Sequence, residues 1–162
     1  MKITKIVLDD VLTEKQRQNI INSQIIIDNQ SASLDAQYTW DEMHLFHPII
    51  SIIAQHFDLT DAITYEMWQQ NNKRPKGWHY DRDEIAYQNG CELYPIATSV
   101  YYLNVSDLDG GNLYFEDDTF VIPKTNRLVI FSPGVEHYVD RYSGKRHSII
   151  INPWDRIVGK LS

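Results

Sequence analysis

The feature that most restricts the fold of this chain is a change of hydrophobic period near Ala62. Before that point apolar residues recur at helical spacing. After it they alternate, as on strands that bury one face. Candidate strands fall at 62–69, 77–81, 96–103, 112–116, 119–122, 127–131, 135–140 and 146–151. Turn chemistry separates them: Asn71-Asn72, Asp109-Gly110-Gly111, Asp117-Asp118, Pro123, Pro133-Gly134 and Ser143-Gly144. Eight short strands with turns between them predict an antiparallel sandwich or barrel, most simply an eight-strand jelly roll.

The first sixty residues supply supporting N-terminal helices to this mainly β chain. Ile3 to Leu8 reads as a short edge strand. Thr13-Glu14-Lys15-Gln16 has capping-box spacing and opens a helix over 13–23, with Ile20 and Ile21 on its buried face. Residues 28–37 are loop-like. A second helical region spans 41–57, with Met43, Phe46, Ile49, Ile50, Ile53 and Phe57 at helical spacing. Pro48 within it should kink the helix or start a new one after His47. At 162 residues the chain reads as a single domain, with 1–61 as helical support and 62–154 as the jelly-roll core.

Composition narrows the functions open to such a domain. Fifteen Lys and Arg against twenty-two Asp and Glu leave a net charge of −7, which argues against nucleic-acid binding through a basic stripe. Cys91 is the only cysteine, so no disulfide framework or zinc ribbon can form within one chain. The longest near-apolar stretch, Pro48 to Ala54, is too short to span a bilayer, and MKITKIVLDD lacks the pattern of a signal peptide. These features predict a soluble protein of a reducing compartment, the cytoplasm, with no membrane partner.

The chemistry-bearing residues lie on the strands. His79 and Asp81 are two apart and aim an imidazole and a carboxylate at one point; His137 lies on a later strand that a jelly roll can bring beside them. Two imidazoles and one carboxylate are the facial set that holds Fe(II) and leaves positions open for substrates. Nine residues after His137, Arg146 and Ser148 share a face of the final strand. A guanidinium backed by a hydroxyl suits a carboxylate, and a buried cation beside a metal needs an anionic ligand to complete it. That combination points to a dicarboxylate with one end on the metal and the other on Arg146.

In this order and spacing, His79-x-Asp81, His137 and Arg146-x-Ser148 resemble the 2-oxoglutarate- and Fe(II)-dependent oxygenases, whose fold is the double-stranded β-helix. Three further segments are similar to the prolyl 4-hydroxylase-like branch: Thr98 to Asn104 (TSVYYLN), Gly110 to Phe115 (GGNLYF) and Arg127 to Phe131 (RLVIF). The resemblance covers 62–151. It implies His79, Asp81 and His137 as iron ligands, Arg146 on the distal carboxylate of 2-oxoglutarate, Tyr102 (rather than Tyr101, on the opposite face) reaching the same carboxylate, and Ser148 as a supplementary contact. It also implies Fe(II), 2-oxoglutarate and O2 as cofactors, with ascorbate as an accessory reductant. The implied reaction couples decarboxylation of 2-oxoglutarate to hydroxylation of a prolyl residue in a peptide or protein partner. A free amino acid or other small molecule as substrate, or a non-catalytic jelly-roll binding module, are the alternatives.

The chain departs from that branch at Asn152, where relatives often carry an aromatic six residues after the arginine; Trp154 follows two positions later. The first barrel strand matches loosely, so no role is assigned to Trp68. His44, His47 and His147 read as structural, Lys73, Arg74 and Lys76 as a solvated basic loop, and 82–95 as a mobile loop over the substrate.

Overall fold

In the computed structural model, which describes residues 3–23, 36–71 and 75–159, the strands assemble into two antiparallel sheets facing one another. Numbered along the chain, they are β1 (Lys5–Leu8), β2 (Gln37–Tyr38), β3 (Thr64–Gln70), β4 (Lys76–His79), β5 (Thr98–Gly110), β6 (Leu113–Phe115), β7 (Phe120–Val121), β8 (Arg127–Phe131), β9 (His137–Val139) and β10 (Tyr142–Trp154). One sheet runs β1-β8-β5-β10-β3-β2 and the other β4-β9-β6-β7. Strands β3 to β10 are the eight expected from the sequence, and they form the jelly roll. Residues 28–35 of the expected loop, and Lys73 and Arg74, lie outside the described residues.

The larger sheet is buried on both faces, which explains its runs of consecutive apolar residues. Ile149, Ile151, Tyr101, Leu103, Leu128 and Ile130 pack toward α1 (Glu14–Ile21) and α2 (His47–Ala54), against Ile20, Phe46, Ile49 and Ile53. The alternate residues Ile150, Val100, Tyr102, Val129 and Phe131 point into the lumen against Leu113, Phe115 and Val139 of the smaller sheet. The helices thus close one side of a wall whose other side forms the cavity.

Local signals set the helix boundaries. Thr13 caps α1 with both halves of the capping box. Pro48 sits in the first turn of α2, preceded by a single 3-10 turn at His44–Phe46, so the proline starts a helix as the sequence allowed. The 82–95 segment differs from the expected mobile loop: it contains a helix, α3 (Glu84–Gln88), capped by the Asp83 side chain on the Ala86 N–H. The other Asp83 oxygen accepts from Gly159 N–H at 2.7 Å, tying the segment to the chain's last described turn.

On the outer face of the smaller sheet each strand contributes one ring to a row. Trp78, Tyr138, Tyr114 and Phe120 stand 4.4, 4.7 and 5.5 Å apart between successive centroids. Tyr138 and Tyr114 stack within 10° of parallel, so their faces are spent on each other. Such cross-strand stacking stabilises strands too short to hold by their backbone ladder alone.

Candidate metal centre

The ladder of the smaller sheet brings the three expected ligands together. His79 ends β4 and His137 begins β9, and the two are directly paired in register. Asp81 lies two residues beyond His79. One ligand atom from each of His79, Asp81 and His137 falls within a cluster 4.8 Å across. The Nε2 atoms of both histidines lie 3.5 Å from Asp81 Oδ1.

The imidazoles are oriented from behind. His79 Nδ1 donates to the Gly77 carbonyl at 2.7 Å and His137 Nδ1 to the Val135 carbonyl at 2.8 Å. A carbonyl only accepts, so each Nδ1 carries a hydrogen and each ring turns its Nε2 toward the shared point. Burial, together with the charges of His137 and Lys76, lowers the His79 pKa despite the neighbouring Asp81, so the ring stays neutral below the usual histidine range. Burial alone would raise the Asp81 carboxyl. Hydrogen bonding from His137 and His79 outweighs it and holds the group well below its ordinary value.

Deeper in the same cavity lies Arg146, 3% exposed. Its Nε donates to the Gly111 carbonyl at 2.8 Å, Nη1 lies 3.4 Å from Ser148 Oγ, and Nη2 lies 3.4 Å from the Tyr102 hydroxyl. Tyr101 instead faces the helices and donates to Asn126 Oδ1. The expected trio of Arg146, Tyr102 and Ser148 is therefore brought together. No acidic side chain pairs with Arg146 among the described residues. Gly111 makes the arrangement possible: its φ is +77°, and a Cβ there would stand 3.0 Å from Arg146 Cδ.

The opposite wall holds two residues whose positions the sequence reading left open or misplaced. Trp68 is 3% exposed, and its indole N–H, buried in the cavity wall, has no acceptor among the described residues. Lys76 does not sit in a solvated loop as expected. It belongs to β4, lines the cavity and places Nζ 5.9 Å from the Trp68 ring centroid. An orphaned N–H and an unpaired guanidinium facing one cavity are donors awaiting an anionic ligand, as a keto-dicarboxylate would provide.

Two further residues at the metal end escaped the sequence reading. Asn152, fully buried on β10, donates from Nδ2 to Asp81 Oδ2 at 3.0 Å. Its register partner Glu66 on β3 is 1% exposed and accepts from Trp154 Nε1 at 3.1 Å. Burial and the nearby Asp81 push the Glu66 carboxyl up to about 8, against hydrogen bonds from Trp154 and Asn152. Strand parity was the available signal, since Asn152 lies an even number of residues from Arg146 and shares its face. Of the remaining histidines, His47 stacks on Trp40 with centroids 3.6 Å apart, and His147 meets Gln69 Oε1 at 2.6 Å on the other side of β10.

Comparison with known proteins agrees with this geometry. Residues 65–154 match the family model described as the 2OG-Fe(II) oxygenase superfamily. No curated protein matches the chain. Among solved structures, a Pseudomonas putida prolyl-4-hydroxylase is similar at 18% identity and TM-score 0.63, over 94% of this chain and 85% of that one. A Burkholderia pseudomallei oxidoreductase of the 2OG-Fe(II) oxygenase family is similar at 11% identity and TM-score 0.65, over 98% and 88%. HygX from Streptomyces hygroscopicus, solved with nickel and 2-oxoglutarate bound, is similar at 11% identity and TM-score 0.54, over 93% and 81%. At these identities the likeness speaks for the fold.

Proposed function

We propose, from the premise that the chain belongs to the 2OG-Fe(II) oxygenase superfamily, that it hydroxylates a prolyl residue in a peptide or protein. The family uses Fe(II), 2-oxoglutarate and O2. Bound there, the iron and cosubstrate supply oxidative chemistry that consumes one O2 and one 2-oxoglutarate, releases succinate and CO2, and replaces a substrate C–H by C–OH.

The observation that carries the proposal is the convergence of His79, Asp81 and His137 on one point of a cavity that also contains the unpaired Arg146. Neutral imidazoles and an ionised carboxylate are the donor set for ferrous iron. Arg146, with Tyr102 and Ser148 beside it, would hold the distal carboxylate of 2-oxoglutarate. Support for a prolyl substrate comes from the YYLN, GGNLYF and RLVIF segments and from the fold shared with the Pseudomonas putida enzyme.

No helix among the described residues is long and apolar enough to cross a membrane. The single exposed cysteine, Cys91, fits a reducing cytoplasmic setting. The deciding experiment is mass spectrometry of proline-containing peptides incubated with the protein. The expected result is a gain of one oxygen that requires both Fe(II) and 2-oxoglutarate. Turnover of 2-oxoglutarate stimulated only by small molecules would overturn the peptide assignment.

A further inference from the structure

The two oxygens of Asp81 have different partners. Oδ1 faces Nε2 of both His79 and His137, 3.5 Å from each. Oδ2 accepts from Asn152 Nδ2 at 3.0 Å. The amide is itself locked, because Asn152 Oδ1 accepts the backbone N–H of Ser99 at 3.2 Å. A backbone N–H can only donate, so the oxygen end must face Ser99 and the NH2 end must face Asp81. Asn152 is 0% exposed, so no water competes for these bonds. Its neighbours Glu66 and Trp154 are also buried and hydrogen-bonded to each other, which walls in the amide from the far side.

We propose that Asn152 is a positioning residue for the metal: it occupies one oxygen of Asp81 so that the carboxylate presents only the other. This rests on the reading of His79, Asp81 and His137 as ligands. A carboxylate free to turn could offer both oxygens and fill a coordination position that the reaction needs open. A partner behind a ligand that fixes its orientation changes metal affinity by about 10–100-fold when removed.

The test uses the full chain freed of metal and titrated with Mn(II), followed by electron paramagnetic resonance of the free ion, and with Co(II), followed by visible absorption. Asn152→Leu keeps the volume and removes the donor. The expected result is Mn(II) affinity lower by about 10–100-fold, and a Co(II) spectrum at saturation that differs in shape from wild type. A residue that merely supported the fold would lower the melting temperature and leave that saturated spectrum unchanged. Asn152→Ala, smaller and also without a donor, reads the same way should the leucine variant not fold. Mn(II) affinity within twofold of wild type together with an unchanged Co(II) spectrum would overturn the inference. Wild type and Asp81→Ala are titrated alongside. If wild type binds neither ion, or Asp81→Ala binds as wild type does, the metal reading itself fails.

Discussion

The Arg146 guanidinium lies 3.4 Å from the Tyr102 hydroxyl, fully inside the barrel and without an acidic partner among the described residues. A buried cation left in this state is costly unless a ligand completes it. Arg146→Met should therefore weaken 2-oxoglutarate binding by about 2–5 kcal/mol, as when one side of a buried charge pair is removed. Tyr102→Phe should cost less, about 1.5–3 kcal/mol, a single hydrogen bond to a charged group. Calorimetric titration of 2-oxoglutarate into the Mn(II)-loaded protein measures both. Equal losses for the two variants would contradict this ranking.

Metal should stabilise the fold through the same triad. At a concentration 100 times its dissociation constant, Mn(II) should add about 2.7 kcal/mol, a rise of several degrees in melting temperature. His79→Ala and Asp81→Ala should abolish both that rise and succinate formation while keeping the native circular dichroism. A rise that persists in Asp81→Ala would place the ion elsewhere.

Glu66 gives the metal-free protein a pH dependence of defined sign. Its carboxyl is raised from an ordinary 4.5 to about 8, so the folded state holds a proton that the unfolded state releases. The stability tied to that proton is complete below pH 4.5, declines as pH rises between 4.5 and 8, and is gone above that. The full swing is roughly 5 kcal/mol. Glu66→Gln should flatten the decline when denaturant midpoints are compared from pH 5 to 8. A variant that keeps the wild-type slope would assign the dependence to another group.

Gly111 couples backbone conformation to the Arg146 end of the cavity. Alanine there must adopt φ near +77° and press on Arg146 Cδ. We expect Gly111→Ala to lose about 1–3 kcal/mol of stability and to raise the 2-oxoglutarate KM. Gly90, also at positive φ but with nothing within 4 Å of its Cβ position, is the control. Gly90→Ala should reproduce the backbone cost and leave KM unchanged.

Much of this site was legible in the sequence because strand parity carries it. Arg146 and Ser148 are two apart on β10, and alternation sends both to one face; His79 and Asp81 are also two apart, although Asp81 lies just beyond the end of β4. Tyr102 was separable from Tyr101 by the same rule. Asn152 and Glu66 were missed for a different reason. Glu66 reaches the site through the register that sets β10 beside β3 and pairs it with Asn152, and no local pattern announces a long-range register. The final strand was also expected to stop at residue 151, one short of Asn152. Lys76 was misread because Lys73-Arg74-Pro75 resembles a solvated turn, whereas the ladder begins at Lys76. The α3 helix within 82–95 was hidden by its brevity, although Asp83 stands at its cap position.

Strand β10 alternates between two interiors, with Ile149 and Ile151 turned to the helices and Arg146, Ser148 and Asn152 turned to the lumen. A slip of one residue in its pairing would send the isoleucines into the cavity and the polar groups into the helical layer. Misfolded chains with a sound exterior but a defunct centre are thereby penalised, because any arrangement that satisfies the greasy side of this strand also delivers its reactive side. Quality control of the catalyst is built into the same thirteen residues that finish the barrel.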